Sequence, residues 1–263
     1  MTVLFNEMTR DQIKAMAPKA VAVLPTASTE QHGPHLPVCT DSLLCETVAR
    51  QAAALAAQQI SVIVTPTLCF GNSHHHFPFA GVLSLTSQTF MAAVTEVLEG
   101  LVKSGFRKLL VLNGHGGNTD SNAVVGLDFA HRLDQPVSIA TGAYWDIARE
   151  AVASRGLAAS ELIPGHAGYF ETALVMAIRP DLVNQEGLGR VQDLSQKRQG
   201  LFAALTGATM QVHGAWAASS GYTDNPALAT AEKGQQILEV VVQAVADFLI
   251  AFDQALSPTA AMV

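Results

Sequence analysis

Three segments of this chain concentrate side chains that can bind divalent metal ions. The first, residues 30–41, reads Glu-Gln-His-Gly-Pro-His-Leu-Pro-Val-Cys-Thr-Asp and follows a strand-like run at 20–24. The second, Asn-Gly-His-Gly-Gly-Asn at 113–118, follows another such run at 108–112. The candidate ligands in these two segments are Glu30, His32, Asp41 and His115. Carboxylates and imidazoles gathered at strand ends suit a divalent metal site that activates a hydrolytic water.

The third segment, Gly-His-Ala-Gly-Tyr-Phe-Glu-Thr at 165–172, adds His166 and Glu171 immediately before an apolar run of helical length. The glycine-rich run at 113–118 also invites comparison with phosphate-binding loops. No Lys-Ser/Thr pair follows it, as a Walker loop requires, and Thr119 stands where the dinucleotide-binding fingerprint has its last glycine. Glycines that flank a histidine suit instead a tight turn that brings the backbone close to a ligand.

Apolar runs of strand length alternate with helix-length segments along the first half of the chain. Strands are predicted at 21–24, 61–65, 108–112 and 137–141, and helices at 41–57, 87–104 and 119–132. The strand runs are continuously apolar, which is expected when both faces of a sheet are covered. The pattern predicts a three-layer α/β/α fold with a mainly parallel central sheet. In such folds ligands bind beyond the carboxyl ends of the strands, which is where the candidate ligands lie.

Two features complete the prediction of the fold. Thr40 is a candidate cap for the helix at 41–57. A long helix with a wide apolar face is predicted from Pro226 to about Phe252. Because no internal repeat, linker or low-complexity segment interrupts the chain, we expect residues 1–263 to form a single α/β domain.

The composition limits the classes of binding partner and the cellular location that we expect for the protein. Charged residues make up 14% of the chain and hydrophobic residues 49%, so we expect subunit contacts to bury surface in a homo-oligomer. A net charge of −7 without a Lys/Arg cluster argues against nucleic acid and anionic membranes. No apolar run approaches the roughly 20 residues that span a bilayer. The chain start lacks signal-peptide features, and three cysteines do not form a disulfide framework, so a cytoplasmic location is expected.

Taken together, these motifs resemble the creatininase family of metal-dependent amidohydrolases. The matching segments are 25–41, 71–85, 113–118, 166–172 and 226–234. The resemblance implies a Rossmann-like α/β/α subunit, usually in a hexamer, with two divalent metal ions per subunit. Carried over to this chain, Glu30 and His115 bind one ion, His32 binds the other, and Asp41 bridges both. Zinc, manganese and iron all suit this mixed nitrogen and oxygen donor set.

The fifth ligand differs from that of creatininase itself. Creatininase supplies a glutamate two residues after the histidine of the third matching segment, where this chain has Gly117. Relatives with the Gly-His-Gly-Gly-Asn form use the glutamate of a His-Ala-Gly-x-x-Glu-Thr motif, which assigns Glu171 to the second ion. Glu171 could instead orient another ligand. The same resemblance makes His166 the residue that handles protons at the leaving nitrogen.

Several neighbouring residues have less specific roles. His35 is expected to stabilise its loop, and Cys39 to be a small buried thiol rather than a ligand. His76 matches a family pattern and is expected at the site entrance or in a subunit contact. Leu162 stands where creatininase has a pocket tryptophan, which disfavours creatinine as the substrate, while Trp145 is a candidate for the other pocket tryptophan.

The resemblance implies a hydrolase that cleaves a C–N bond, other than a peptide bond, in a small cyclic or linear amide. The attacking group would be a hydroxide that bridges the two metal ions, with His166 and Glu171 as catalytic residues. One alternative within the enzymes is a related hydrolase of a cyclic keto-polyol. The alternative outside them is a binding or assembly protein that metal merely stabilises. Five candidate ligands together with His166 disfavour that second alternative, since a structural metal site needs no open position.

Overall fold

A sheet of four parallel strands organises the molecule. The computed structural model describes residues 3–132, 136–194, 212 and 214–256. Within them the strands are β1 Val21–Thr26, β2 Val62–Val64, β3 Lys108–Asn113 and β4 Ser138–Ala143, in the spatial order β2-β1-β3-β4. All three strand pairs are parallel, and Thr26 at the end of β1 lies opposite Asn113 at the end of β3. The loops after β1 and β3 therefore leave the sheet at the same edge.

Helices cover both faces of the sheet. In the described residues the α-helices are α1 Arg10–Met16, α2 Thr40–Ala56, α3 Ser87–Lys103, α4 Thr119–Arg132, α5 Tyr144–Ser154, α6 Tyr169–Ile178, α7 Gln185–Leu188 and α8 Ala231–Ala255. Val21 and Val23 join the core under α2, α5, α6 and α8. Ala22 and Leu24 join the core under α1, α3 and α4. Because β1, β2 and β3 bury apolar side chains on both faces, their sequences are largely apolar, whereas β4 at the edge of the sheet is mostly half-buried. The predicted three-layer α/β/α fold is confirmed.

The predicted elements of the first half are present with ends within two residues of their expected positions, whereas α1 and α5 were not predicted. Two expectations about helix starts are wrong. Thr40 is the first residue of α2 rather than its cap, and its hydroxyl donates to the Pro37 carbonyl at 2.7 Å. Pro226 opens a separate 3₁₀ turn, and α8 begins only after Thr230, whose hydroxyl accepts from the Lys233 N–H.

Helix α8 also corrects the expectation that no apolar segment approaches membrane-spanning length. By length and composition alone it could cross a bilayer, since its most apolar stretch of 18 residues has a mean hydropathy of 1.5. Of that stretch, 44% is buried inside the protein. The helix packs against α2, α5 and α6, and a side chain at Gly234 would overlap the Ala173 carbonyl oxygen of α6. This close packing is that of a core helix.

Candidate active site

Six polar side chains converge beyond the carboxyl-terminal edge of the sheet. They come from the loop after β1, the start of α2, the loop after β3, and the loop and first turn of α6. They belong to Glu30, His32, Asp41, His115, His166 and Glu171, and each of these residues is at most 8% exposed. The parallel arrangement of β1 and β3 brings them together although they are distant in sequence. Their roles as ligands and catalytic groups stay predictions.

His32 forms the centre of one group of metal donors. Its Nε2 lies 3.1 Å from Asp41 Oδ1 and 3.7 Å from Glu171 Oε2. Its Nδ1 lies 3.2 Å from the backbone carbonyl of Glu30. Because a carbonyl only accepts, Nδ1 carries the proton, and the lone pair of a neutral ring is on Nε2. Ligand atoms of His32, Asp41 and Glu171 lie within 4.8 Å of one another, a spacing that suits one metal ion.

His115 belongs to a second group on the other side of Asp41. Its Nδ1 lies 3.0 Å from Asp41 Oδ2 and 3.4 Å from Glu30 Oε1. Its Nε2–H donates to the Asn72 carbonyl at 2.9 Å, so Nδ1 faces the carboxylates. A carbonyl that holds the distal N–H of a histidine is the usual support for a metal-binding ring. Ligand atoms of Glu30, His75 and His115 also lie within 4.8 Å of one another.

Several buried atoms between these groups have no hydrogen-bond partner among the described residues. They are both carboxylate oxygens of Glu30, Asp41 Oδ2 and His32 Nε2. Imidazole nitrogens lie near these oxygens, but none is aligned for a hydrogen bond with them. Leaving a carboxylate buried and unpaired is costly, whereas carboxylate oxygens and imidazole nitrogens together are a common donor set for divalent cations. The residues present therefore fit divalent metal ions.

The crowding of acids and imidazoles changes the pKa of each group. Burial lowers the pKa of His32, but Asp41 and then Glu171 outweigh burial and raise this pKa to about 10. Burial raises the pKa of Glu171 to about 8, against the opposing attraction of His32. Burial would also raise the pKa of Glu30, yet His115 holds it well below its usual range. The carboxylates thus attract positive charge, and a divalent cation would compete with protons for the same atoms.

His166 stands beside these carboxylates and lines the adjoining cavity. Its Nδ1 lies 3.6 Å from Glu30 Oε1, and its ring centroid lies 4.3 Å from that of His32. Burial, reinforced by repulsion from His32, holds the pKa of His166 well below its usual range. The ring is therefore neutral near pH 7, and a neutral imidazole can accept a proton and then return it.

His76 lies deeper than the sequence suggested. Expected at the site entrance or in a subunit contact, it is instead 1% exposed, with Nε2 3.2 Å from Glu30 Oε1. The 3₁₀ turn His74–His76 accounts for the difference, because it directs His76 inward while His74 stays exposed. The sequence motif selected His76 from the triplet, but it could not reveal that this ring is buried beside Glu30.

Two residues near the ligands have structural explanations. His35 pairs through Nε2 with the hydroxyl of Thr172 at 2.9 Å, which ties its loop to α6 as the sequence suggested. Cys39 is exposed, so the expectation of a buried thiol is wrong. It immediately precedes the first turn of α2, where the chain still lies at the surface.

The cluster opens onto a cavity of about 1610 Å³ that both tryptophans of the chain line. Trp145, which the sequence pointed to, packs edge-on against Tyr144 with ring centroids 5.0 Å apart. Trp216 was missed. Its ring centroid lies 4.4 Å from that of His76 and 4.9 Å from that of His166. No motif surrounds Trp216, and the scarcity of tryptophan was the one signal that could have singled it out.

Comparison with known protein families decides the class of this protein. The sequence model of the creatininase family, described as creatinine amidohydrolase, matches residues 6–249. The chain belongs to the creatininase family. Members of this family are amidohydrolases, which confirms the enzyme class that the resemblance implied.

The curated relatives differ in what they act on. Creatinine amidohydrolase of Pseudomonas putida is 30% identical, over 94% of this chain and 95% of its own length. A mycofactocin precursor peptide peptidase of Mycobacterium tuberculosis is also 30% identical, over 89% of this chain and 85% of its own. A 3-dehydro-scyllo-inosose hydrolase of Thermotoga maritima is 26% identical, over 70% of this chain and 58% of its own length.

Solved creatininase structures share the fold of this chain, and two of them are structures of manganese and zinc forms of the enzyme. One crystal structure of creatininase superposes with a TM-score of 0.77 at 29% identity, covering 98% of this chain and 99% of that protein. A manganese form superposes with a TM-score of 0.77 at 29% identity, covering 95% of this chain and 98% of that protein. A mutant of zinc–zinc type gives 0.75 at 28% identity, covering 95% and 97%. These forms agree with the donor set in supporting divalent metal ions.

Proposed function

We propose that this creatininase-family hydrolase is cytoplasmic, uses two divalent metal ions per subunit, and cleaves the C–N bond of a small cyclic or linear amide. The proposal rests on one observation above all. The two oxygens of Asp41 face two separate donor groups, and the buried oxygens around them lack hydrogen-bond partners. A carboxylate placed in this way can be shared by two cations.

Glu30 and His115 would hold one ion, His32 and Glu171 the other, and Asp41 both. Bound there, such ions lower the pKa of a coordinated water and polarise a carbonyl group. Zinc, manganese and iron are all compatible with these ligands.

The chain itself holds the ligands in place. The backbone carbonyl of Asn72 accepts a hydrogen bond from Nε2–H of His115. The backbone carbonyl of Glu30 accepts one from Nδ1–H of His32. The Ala167 N–H donates to Glu171 Oε2 at 2.6 Å, which fixes this carboxylate at the start of α6. The two carbonyl contacts preset the ring orientations of His115 and His32 and leave the opposite ring nitrogens for metal.

His166 would supply the proton that the departing nitrogen needs. An amine is a poor leaving group, so C–N cleavage requires a proton donor beside the reacting bond. His166 lines the cavity, contacts the carboxylate cluster, and is neutral before reaction, so it can take a proton from the attacking water and pass it on.

The substrate class follows from the cavity and from the relatives. Trp145 and Trp216 both line the cavity, together with the carboxylates of Glu30, Asp41 and Glu171. Creatinine amidohydrolase and a precursor-peptide peptidase are both relatives, so the substrate is proposed as a small amide rather than as creatinine in particular. Because another relative is a hydrolase of 3-dehydro-scyllo-inosose, a cyclic keto-polyol is the alternative substrate to test beside the amides.

We also infer that the protein assembles as a homo-oligomer, with a hexamer as the expected form. Only 14% of its residues are charged, and Val124 and Leu127 on α4 are 50% and 64% exposed. Apolar side chains of this kind are commonly covered by another subunit. Light scattering on protein eluted from a size-exclusion column would give the molar mass and hence the number of subunits.

The direct test is turnover of a compound panel by the metal-loaded protein. The panel contains creatinine, a lactam, a formamide, a short peptide and a cyclic keto-polyol. We expect at least one amide to be hydrolysed, and no turnover after the metal is removed. His166→Asn should reduce turnover by about 10²–10⁴-fold with metal content unchanged, whereas His131→Asn on the exposed side of α4 should not. Turnover of the keto-polyol alone, or of nothing, would contradict the proposal.

A further inference from the structure

Gln31 lies between two histidines of the active site and has a defined amide orientation. Its side chain is 6% exposed. The Gly33 N–H donates to Gln31 Oε1 at 2.9 Å. A backbone N–H can only donate, so the atom that it meets is the amide oxygen, and the amide NH₂ points the other way. That NH₂ group lies 2.8 Å from His76 Nδ1 and 3.0 Å from His166 Nε2.

This orientation fixes the tautomer of His76. An amide NH₂ can only donate, so Nδ1 of His76 accepts and carries no proton. In the neutral ring the proton is then on Nε2. His76 Nε2 is buried, lies 3.2 Å from Glu30 Oε1, and has no aligned hydrogen-bond partner among the described residues. This buried N–H therefore lies beside Glu30 Oε1 without being aligned for a hydrogen bond to it, which is unfavourable unless a ligand supplies a better placed acceptor.

His166 has the opposite property. Its Nε2 lies 3.0 Å from the backbone carbonyl oxygen of Gln31, which can accept a hydrogen bond. The same Nε2 lies 3.0 Å from the side-chain NH₂ of Gln31, which can donate one. The nitrogen therefore finds a partner at Gln31 whether or not it carries a proton. The same glutamine holds the proton of one histidine in place and accommodates both states of the other.

The rings of these two histidines are also held relative to each other. Their centroids lie 4.4 Å apart with planes 23° from parallel, and Trp216 packs against both. Gly221 packs on the Gln31 side chain so closely that a Cβ would overlap Oε1. Gln31, His76 and His166 therefore have little room to reorient.

We propose that Gln31 sets His76 as a fixed Nε2–H donor to the oxygen of the scissile carbonyl, while His166 exchanges protons. The proposal rests on the hydrolysis proposed above. A preset donor beside the position where negative charge develops stabilises the transition state more than the substrate, because it needs no reorientation during reaction. A nitrogen that carries a proton cannot ligate metal, so His76 is distinguished from His32 and His115 although all three lie beside the same carboxylates.

The test is the ¹⁵N NMR spectrum of zinc-loaded protein labelled at histidine, with the His76 signals assigned by their loss in His76→Gln. The expected spectrum shows Nε2 of His76 protonated and Nδ1 not. Gln31→Glu replaces the amide donor by an acceptor and should move the proton to Nδ1. Gln31→Met, similar in size but without a donor, should leave both tautomers populated.

Kinetics of the same variants test the role in catalysis. Gln31→Glu and His76→Phe should lower kcat by about 10²–10³-fold, with KM changed only slightly and zinc content unchanged. His131→Phe, on the exposed side of α4, should behave as wild type. His76→Gln, which keeps an N–H donor, should retain more activity than His76→Phe.

Two results would overturn the inference while the proposed function stands. One is a wild-type His76 protonated on Nδ1, or stripped of its Nε2 proton when zinc binds, which would make it a ligand. The other is a Gln31→Glu variant that moves the proton yet turns over amides at the wild-type rate. If the wild-type protein binds two zinc ions but hydrolyses no amide, the proposed function fails and the donor role fails with it, while the spectrum still decides the tautomer.

Discussion

Replacing Gly117 by alanine tests how the His115 ring is held. A Cβ on Gly117 would overlap the Asn72 carbonyl oxygen and lie 2.5 Å from His115 Nε2, so it meets both partners of the hydrogen bond that orients this ring. The contact with Nε2 must lengthen by about 1 Å to become an ordinary van der Waals contact. Overpacking of this kind costs about 1–3 kcal/mol, and loss of a ligand's hydrogen-bond support lowers metal affinity about 10–100-fold.

Gly116→Ala is the matched control, because the same turn leaves open space around a Cβ at that position. Competition titration with a chromophoric chelator should show weaker metal binding in Gly117→Ala, and affinity within about threefold of wild type in Gly116→Ala. Gly117→Glu meets the same obstruction, so a carboxylate at this position should not replace that of Glu171. Wild-type affinity in Gly117→Ala, or an equal loss in Gly116→Ala, would refute this reasoning.

Four further outcomes follow from the packing, the cavity and the metal site. Gly234→Ala should lower the free energy of unfolding by about 1–3 kcal/mol in urea titration because its Cβ overlaps the Ala173 carbonyl. Gly100→Ala, with open space around it, should raise this free energy by about 0.5–1 kcal/mol. Trp216→Ala should raise KM by up to about tenfold at unchanged metal content. Removing the metal with a chelator should lower the melting temperature, and adding zinc or manganese back should restore it.

Much of the fold was predictable because its signals are local. Largely apolar runs identified the four strands that the described residues contain, and alternation with helix-length segments gave the parallel three-layer arrangement. The spatial order of the strands was not predictable in this way, since periodicity says nothing about which strands become neighbours. The starts of α2 and α8 were misplaced because a threonine or a proline near a helix start suits several positions there. At Thr40 and Thr230 only the observed hydrogen bonds decide between them.

Glu30, His32, Asp41 and His115 could be selected because their chemistry is specific and the loops that carry them follow strands, whereas the assignment of Glu171 came from the resemblance to the creatininase family. What spacing could not give is orientation. His76 and Trp216 reach the cluster through 3₁₀ turns whose direction no motif encodes. The tautomer of His76 depends on the amide of Gln31, whose orientation depends in turn on the Gly33 N–H. Such chains of hydrogen bonds exist only in three dimensions, so they lie beyond any argument from residue types.

If Asp41 is shared between two divalent ions, with Glu30 and His115 on one and His32 and Glu171 on the other, each subunit must bind two ions. Protein dialysed against zinc or manganese should hold two ions per subunit by elemental analysis. Asp41→Asn should lose both, whereas Glu171→Gln should lose one. A wild-type content of one ion, or an Asp41→Asn variant that still binds two ions at wild-type affinity, would contradict the account.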